Sequence, residues 1–274
     1  MTSLAAKQEA LLTAIRKLES CAVAFSGGVD SAVVAKAAAL ALGERAVAVT
    51  GASASLASGE REAAEELAAL IGIRHVVIGT DELASPDYAR NAPDRCFHCK
   101  TELYSQLERL IPALGVAAIV NGANADDLGD YRPGMQAAAN HRVFSPLADC
   151  GITKSEVREL AAGWRLPVWD KPATPCLSSR IAYGETVTPE RLAMIDGAEQ
   201  FLRSLGLVNL RVRFHKGDLA RIEVQVSELP RLCAGDVRQQ IAAELRSLGF
   251  KFVTIDLEGF RSGNLNQLVQ IHVG

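Results

Sequence analysis

The sequence predicts an α/β fold built on a parallel sheet, followed by a smaller C-terminal α+β domain. Three observations lead there. Short apolar runs alternate with longer segments of helical periodicity through the first half of the chain. Those runs, such as 21–25 and 46–50, are almost continuously apolar rather than alternating with polar residues, as in strands covered on both faces. Near residue 187 alanine becomes sparse and the pattern changes.

Leu4, Leu11, Ile15 and Leu18 recur at helical spacing, so a helix is expected over 4–19 and a strand over 21–25. Residues 32–42 read as helix, 46–50 as strand, 59–72 as helix with acidic residues outward, and 75–78 as strand, a βαβαβ order. A helix over 94–111 and a fourth strand over 117–121 follow. Residues 126–146, with DDLGDYRPGMQ, read as loop. Thr153 and Glu156 have capping-box spacing and open a helix that runs to residue 162. The proline-rich stretch 165–189 reads as a linker or an ordered functional loop. Beyond it the pattern gives helix 190–205, strands 208–214 and 220–226, helix 235–248 and strand 251–256. The expected division is a domain 1–187 and a smaller domain 188–274 for substrate binding or oligomerisation.

A chain of 274 residues accommodates one large domain or two modest ones. With 49% hydrophobic and 22% charged residues it is not disordered, collagen-like or a coiled coil. Lys+Arg at 29 against Asp+Glu at 32 gives a net charge of -3, too balanced for holding nucleic acid by bulk charge. The first twenty residues lack an apolar signal core, and apolar stretches fall short of the ~20 residues of a membrane span, so a cytoplasmic protein without membrane attachment is expected.

The strongest chemical signal is Ser26-Gly27-Gly28-Val29-Asp30-Ser31, directly after a strand and before a helix. Two glycines let the backbone turn tightly and approach an anion, while N–H groups at the helix start point at it. No Lys follows as in a Walker A loop, and the spacing is not that of dinucleotide folds. Ser26 and Ser31 add hydroxyls, and Asp30 suits a Mg²⁺ held by carboxylate and phosphates. The bland alternative is a glycine turn with a serine cap. Thr50, Gly51 and Ser53 follow the second strand, where nucleotides sit at the carboxyl edge of parallel sheets. Asp127, Asp130 and Arg132 occupy the loop after the fourth strand.

Of the six cysteines, Cys21, Cys150 and Cys233 lie in or beside apolar stretches and read as structural. Cys96 and Cys99 form a CxxC in RCFHCK, and Cys176 sits in TPCLSSR. His98 would give zinc a fourth ligand, and three thiolates with one open position suit a [4Fe–4S] cluster. Lys100, Ser179 and Arg180 adjoin these cysteines; the two cations can offset charge at a thiolate or an activated carboxylate, or simply be solvated. Arg211, Arg213 and His215 alternate along one strand, and Arg261 lies in a Gly/Ser/Asn loop, a set suited to a substrate phosphate. Glu199 and Glu223 are placed to orient those guanidiniums, with surface ion pairs as the plainer reading.

SGGVDS at the end of the first strand resembles the PP-loop of the N-type ATP pyrophosphatases (adenine nucleotide alpha hydrolase-like), over about residues 20–185. That resemblance implies cleavage of ATP between the α- and β-phosphates, adenylation of an acceptor oxygen, and displacement of AMP by a nucleophile. SGGVDS with RCFHCKTELY, NGANADDLGDYRPG, SPLADCGITKSEVRELA, KPATPCLSSRIAYGE and DLEGFRSGNLN resembles the LarE family across essentially the whole chain. These are ATP-dependent sulfur transferases of nickel-pincer cofactor biosynthesis for lactate racemase. The resemblance implies a carboxylate of pyridinium-3,5-biscarboxylic acid mononucleotide as acceptor and Cys176 as sulfur donor, left as dehydroalanine. Cys96 and Cys99 match members in which three cysteines hold a [4Fe–4S] cluster carrying an extra sulfide. It also implies ATP, Mg²⁺, cofactor-biosynthesis partner proteins and a homo-oligomer, a hexamer in relatives. The competing reading is a PP-loop tRNA thiolation enzyme, whose RNA-binding footprint is missing. An ammonia-using synthetase would leave the cysteine triplet idle, and a non-enzymatic metal protein would not need SGGVDS.

Overall fold

The computed structural model describes residues 3–129 and 133–261. In chain order the helices and strands are α1 (Leu4–Arg16), β1 (Cys21–Ala24), α2 (Val29–Leu42), β2 (Ala46–Ala52), α3 (Glu60–Ile71), β3 (Arg74–Gly79), α4 (Pro86–Ala89) and α5 (Arg95–Leu114). They continue with β4 (Ala118–Val120), α6 (Pro133–Asn140), α7 (Pro146–Asp149), α8 (Lys154–Gly163), α9 (Pro189–Ser204), β5 (Arg211–His215), β6 (Leu219–Glu223), α10 (Leu229–Cys233), α11 (Gly235–Ser247) and β7 (Phe252–Ile255).

These form two compact units. The first takes the described residues up to Ser53, Gly59–Glu82 and Cys96–Thr174; the second takes Ala54–Ser58, Leu83–Arg95 and the described residues from Pro175 onward.

In the first unit four parallel strands run in the order β3-β2-β1-β4. Period-two alternation divides the strand residues between two faces. Cys21, Val23, Phe25, Ala46 and Ala48 pack with α1, α2, α3 and α8, through residues such as Leu11, Ile15, Val33, Leu67 and Leu160. Ala22, Ala24, Val47 and Val49 face the opposite way, onto Tyr104 and Leu107 of α5 and Ala137 and Ala138 of α6. Each core Val or Leu removed from water contributes ~1.5–3 kcal/mol, which is why the runs are continuously apolar. The many alanines of α2 let it lie close to the sheet, buried around most of its circumference.

Thr153 and Glu156 form the expected capping box: Glu156 N–H donates to Thr153 Oγ1 at 3.4 Å and Thr153 N–H donates to Glu156 Oε2 at 2.8 Å. The stretch expected to be loop over 126–146 instead contains a 3-10 turn at Ala125–Gly129 and the helices α6 and α7. Both helices open on a proline and are too short to show periodicity; burial of Ala137, Ala138 and Leu147 selects them.

In the second unit β5 and β6 form an antiparallel hairpin, and β6 pairs with β7 in parallel. Helices α9 and α11 cover this sheet through Leu192, Ile195, Leu202, Ile241 and Leu245. Cys233, expected in apolar surroundings, ends α10 and is exposed; the short helix turns it outward while Leu232 is buried. Cys21 is fully buried, and burial pushes its thiol up to about 12. Cys150 is half-buried, its thiol raised by burial and then by Asp149.

Because β2 and β3 lie on one side of β1 and β4 on the other, the chain leaving β1 and the chain leaving β4 diverge at a topological switch point. The backbones there are in close approach. A Cβ at Gly122 would stand 2.7 Å from Ser31 N and 2.9 Å from Asp30 C, against backbone rather than a yielding side chain. Gly122→Ala is therefore expected to destabilise the chain by about 1–3 kcal/mol, read from urea unfolding, with a loss of ATP affinity larger than that of a control at exposed Gly163.

Candidate functional site

The loop Ser26–Gly28 joins β1 to α2, with Gly27 at φ 71°, a left-handed conformation open to glycine at no steric cost. The two serines brace it. Ser26 N–H donates to Ser31 Oγ at 3.2 Å, Ser31 Oγ donates to Gly28 O at 3.0 Å, and Gly28 N–H reaches Ser26 Oγ at 3.4 Å. Ser26 is exposed and Ser31 buried, so one hydroxyl faces outward while the other fixes the turn.

Asp30, in the first turn of α2, is held from the β4 side. Asn124 Nδ2 donates to its Oδ1 at 3.0 Å, and Lys154 Nζ forms an ion pair with Oδ2. Lys154 opens α8, and its own N–H donates to Asp126 Oδ2 at 2.8 Å. Asp127 Oδ2 accepts from Asn124 N–H at 3.0 Å, which shapes the loop bearing Asn124. A carboxylate, a primary ammonium and the backbone at the start of α2 thus converge at the switch point, a set suited to a polyphosphate. The sequence reading missed Gly122, Asn124 and Lys154. Lys154 stands directly after the capping threonine, but only the pairing of β1 with β4 and the packing of α8 on α2 bring it to Asp30. Asp130 and Arg132 lie outside the described residues.

At the end of β2, Thr50 and Gly51 belong to the strand and Ser53 follows it. Thr50 is buried; its Oγ1 donates to Phe25 O at 2.8 Å and accepts from His75 Nε2 at 2.8 Å. Ser53 Oγ donates to Glu82 Oε1 at 2.6 Å. Gly51 lies against Leu103 and Thr80, where a Cβ would meet Leu103 Cδ1 at 3.0 Å.

Cys96, exposed, and Cys99, half-buried, stand three residues apart on the first turn of α5, so both thiols share one helix face. Half-buried Lys100 follows them, its Cγ 3.3 Å from the position a Cβ would take at Gly134. Cys176 belongs to the second unit, half-buried at the start of a 3-10 turn, Leu177–Arg180. Among the described residues no three His, Cys, Asp or Glu side chains gather as a set that could hold a metal ion.

The Cys176 turn is built around Arg180, which is 1% exposed. Its Nη1 donates to the carbonyls of Pro175 and Cys176, the latter at 3.0 Å, and to Ser179 Oγ at 3.2 Å. Ser179 Oγ in turn donates to Cys176 O at 2.7 Å. Arg180 Nε donates to Glu199 Oε1 at 3.0 Å, and Glu199 also accepts from Arg203 at 2.7 Å and from Val212 N–H at 3.2 Å. Arg213 forks onto Glu223 at 2.9–3.0 Å and donates to Ser179 O at 3.1 Å; Arg221 adds a bond to Glu223 at 3.1 Å. Both glutamates are fully buried, so these are interior pairs rather than the surface pairs of the plainer reading.

The arginines expected to face a phosphate are thus largely committed elsewhere, because burying Glu199 and Glu223 requires cations beside them. Arg213 braces the turn, and exposed Arg261 pairs with Glu258. Arg211 lies over the Phe260 ring at 5.2 Å and donates to Leu210 O. Burial, then the neighbouring Arg180, brings its guanidinium down to about 10. Half-buried His215 is likewise held below its ordinary value, first by burial and then by Arg221.

The asparagine synthase family profile matches residues 7–108, which include the Ser26–Ser31 loop. The uncharacterized protein slr1717 of Synechocystis sp. is 44% identical over 97% of this chain and 99% of its own length. The pyridinium-3,5-bisthiocarboxylic acid mononucleotide synthase of Lactiplantibacillus plantarum is 38% identical over 97% of this chain and 96% of its own. The chain belongs to the LarE family. It is an enzyme of the PP-loop superfamily, and ATP use follows from that membership. The protein MJ0830 of Methanocaldococcus jannaschii is 32% identical over 63% of this chain and 66% of its own. No helix among the described residues is long and apolar enough to cross a membrane.

Lys154→Met removes the ammonium paired with Asp30 and is expected to weaken ATP binding about tenfold, or ~1.4 kcal/mol, by titration calorimetry. His75 gives a pH dependence. Burial lowers its pKa from the ordinary 6.5, so below that pH the unfolded chain binds the extra proton more readily. Stability held by neutral His75 is complete above pH 6.5 and declines as pH falls. Urea unfolding between about pH 7 and 5 should show a steeper acid loss in the parent than in His75→Gln.

Proposed function

We propose that this protein is an ATP-dependent sulfurtransferase acting on pyridinium-3,5-biscarboxylic acid mononucleotide, in nickel-pincer cofactor biosynthesis for lactate racemase. The observation that carries the reading is near-full-length similarity to a synthase named for the corresponding bisthiocarboxylic acid product. The braced Ser26–Ser31 loop with Asp30 and Lys154 at the sheet's switch point supports it.

In this reading a substrate carboxylate oxygen attacks the α-phosphorus of ATP, the α–β bridge breaks, and pyrophosphate leaves into the Ser26–Ser31 cradle. Asp30 would hold the Mg²⁺ that neutralises the phosphates, and Lys154 would follow the charge of the departing pyrophosphate. The acyl-adenylate is then attacked at its carbonyl carbon by a sulfur nucleophile, and AMP departs with the bonding pair.

If Cys176 supplies the sulfur, its thiolate forms a thioester. Loss of the Cα proton and cleavage of the Cβ–S bond then release the thiocarboxylate and leave dehydroalanine. Alternatively, Cys96, Cys99 and Cys176 would hold a [4Fe–4S] cluster, whose chemistry is to carry an exchangeable sulfide. The acceptor's phosphate is assigned to Arg211, whose guanidinium is brought down to about 10 by burial and then by the neighbouring Arg180. Cytoplasmic placement, a homo-oligomeric assembly and partner proteins that make and metallate the cofactor complete the proposal.

Turnover with ATP and the mononucleotide should yield AMP and pyrophosphate; ADP as the main product would overturn the reading. Intact mass after turnover distinguishes the sulfur sources. A loss of the elements of hydrogen sulfide at Cys176 identifies a sacrificed side chain. An unchanged mass, with brown anaerobic protein that loses colour and repeated turnover on Cys96→Ala, identifies a cluster.

A further inference from the structure

The segment before Cys96 is used by none of the chemistry above, yet it carries three nearly water-free polar side chains: Tyr88, Asn91 and Arg95, at 1%, 0% and 6% exposure. All three reach the stretch that follows Cys176. Tyr88 Oη and Ser178 Oγ are hydrogen-bonded at 2.6 Å. Arg95 Nη1 donates to Ser178 O at 2.8 Å and to Asn91 Oδ1. Asn91 Nδ2 spans the carbonyls of Ala182, Glu185 and Ile181 at 2.9, 3.0 and 3.2 Å. Gly184 N–H donates back to Asn91 O, and Val187 N–H to Ala89 O.

This arrangement is costly to keep. Asn91 holds φ at 55°, a left-handed conformation that asparagine tolerates better than most residues. A buried guanidinium is stable only when its donors are satisfied. Here Nη1 is satisfied by Asn91 and by the backbone carbonyl of Ser178, two residues beyond Cys176. On the other side of the same turn, Arg180 and Arg213 take the carbonyls of Pro175, Cys176 and Ser179. The turn is thus gripped by side chains from separate parts of the chain, far more than a four-residue 3-10 turn needs to form. Networks saturated in this way fix one arrangement of the groups they hold.

We propose that Tyr88, Asn91 and Arg95 are positioning residues for the sulfur-transfer half-reaction: they hold the 176–182 turn in one conformation so that the Cys176 thiol is presented in a single orientation. They touch no reacting atom. The proposal rests on the sulfurtransferase reading for its catalytic consequence, but not for its effect on Cys176 itself.

Two variants and one rescue variant test it in the full chain. Tyr88→Phe keeps the ring and removes one hydrogen bond; Arg95→Met removes the guanidinium, and Arg95→Lys restores one donor. Three quantities are measured. They are the rate of Cys176 alkylation by iodoacetamide without substrate, followed by peptide mass spectrometry; hydrogen exchange of the 177–182 amides; and AMP formation against thiocarboxylate formation.

Positioning predicts faster exchange and an altered alkylation rate in Arg95→Met, a roughly 10- to 100-fold slower sulfur transfer with AMP formation within about twofold of the parent, and partial recovery in Arg95→Lys. Tyr88→Phe should show the same pattern, weaker. Parallel loss of both half-reactions, or unchanged alkylation and exchange in both variants, overturns the proposal. If the parent forms no adenylate with the mononucleotide, the functional reading fails, while the alkylation and exchange results still decide the positioning.

Discussion

The ion pair between Arg180 and Glu199 is the constraint on which the Cys176 segment depends. Two opposite charges almost wholly removed from water hold each other only while every remaining donor and acceptor is occupied. Arg180 meets that condition by bonding to the backbone on either side of the cysteine, and Glu199 by accepting from Arg203 of its own helix and from the first rungs of β5. One pair therefore fixes α9, β5 and the cysteine turn in a single arrangement. Removing either partner would strand the other, at a cost of about 3–5 kcal/mol. The glutamates are as necessary as the arginines.

The first unit solves a different problem with weaker means. A phosphate cradle needs little bulk, and the Ser26–Gly28 loop supplies that through its two glycines. Its shape is recovered by hydroxyl bonds within the loop and by the β4 segment pressing Gly122 against Asp30 and Ser31. Asp30 is held by Asn124 and Lys154, so its carboxylate is fixed in place on the first turn of α2.

Much of this was legible in the sequence, and for identifiable reasons. The strands of the parallel sheet are short apolar runs, and their alternation with amphipathic helices leaves few other folds. The capping box at Thr153 and the Ser26–Ser31 loop are local signals, complete within six residues. Helices α6 and α7 were not legible because they are shorter than the periodicity that would reveal them. Lys154 and Asn124 were not, because their meaning lies in a crossover more than ninety residues long. The arginines on β5 were recognised as a cluster, yet which of them are neutralised depends on Glu199 and Glu223 being wholly buried, and alternation along a strand does not reveal that. Tyr88, Asn91 and Arg95 carry no motif at all; each is ordinary until the fold lays the 178–185 stretch beside it.

The second unit is assembled from separated pieces of chain, including Ala54–Ser58 and Leu83–Arg95, each returned to the first unit before the C-terminal part begins. This interleaving matters to a ribosome. Asn91 and Arg95 leave the exit tunnel long before the carbonyls they will bond to have been synthesised. Until residues 175–187 emerge, those polar groups must stay hydrated, so the nascent chain can complete its parallel sheet while the cysteine turn cannot yet exist. Closure of the turn is thereby postponed to the end of translation, and a product truncated there would carry an intact nucleotide cradle but no organised thiol.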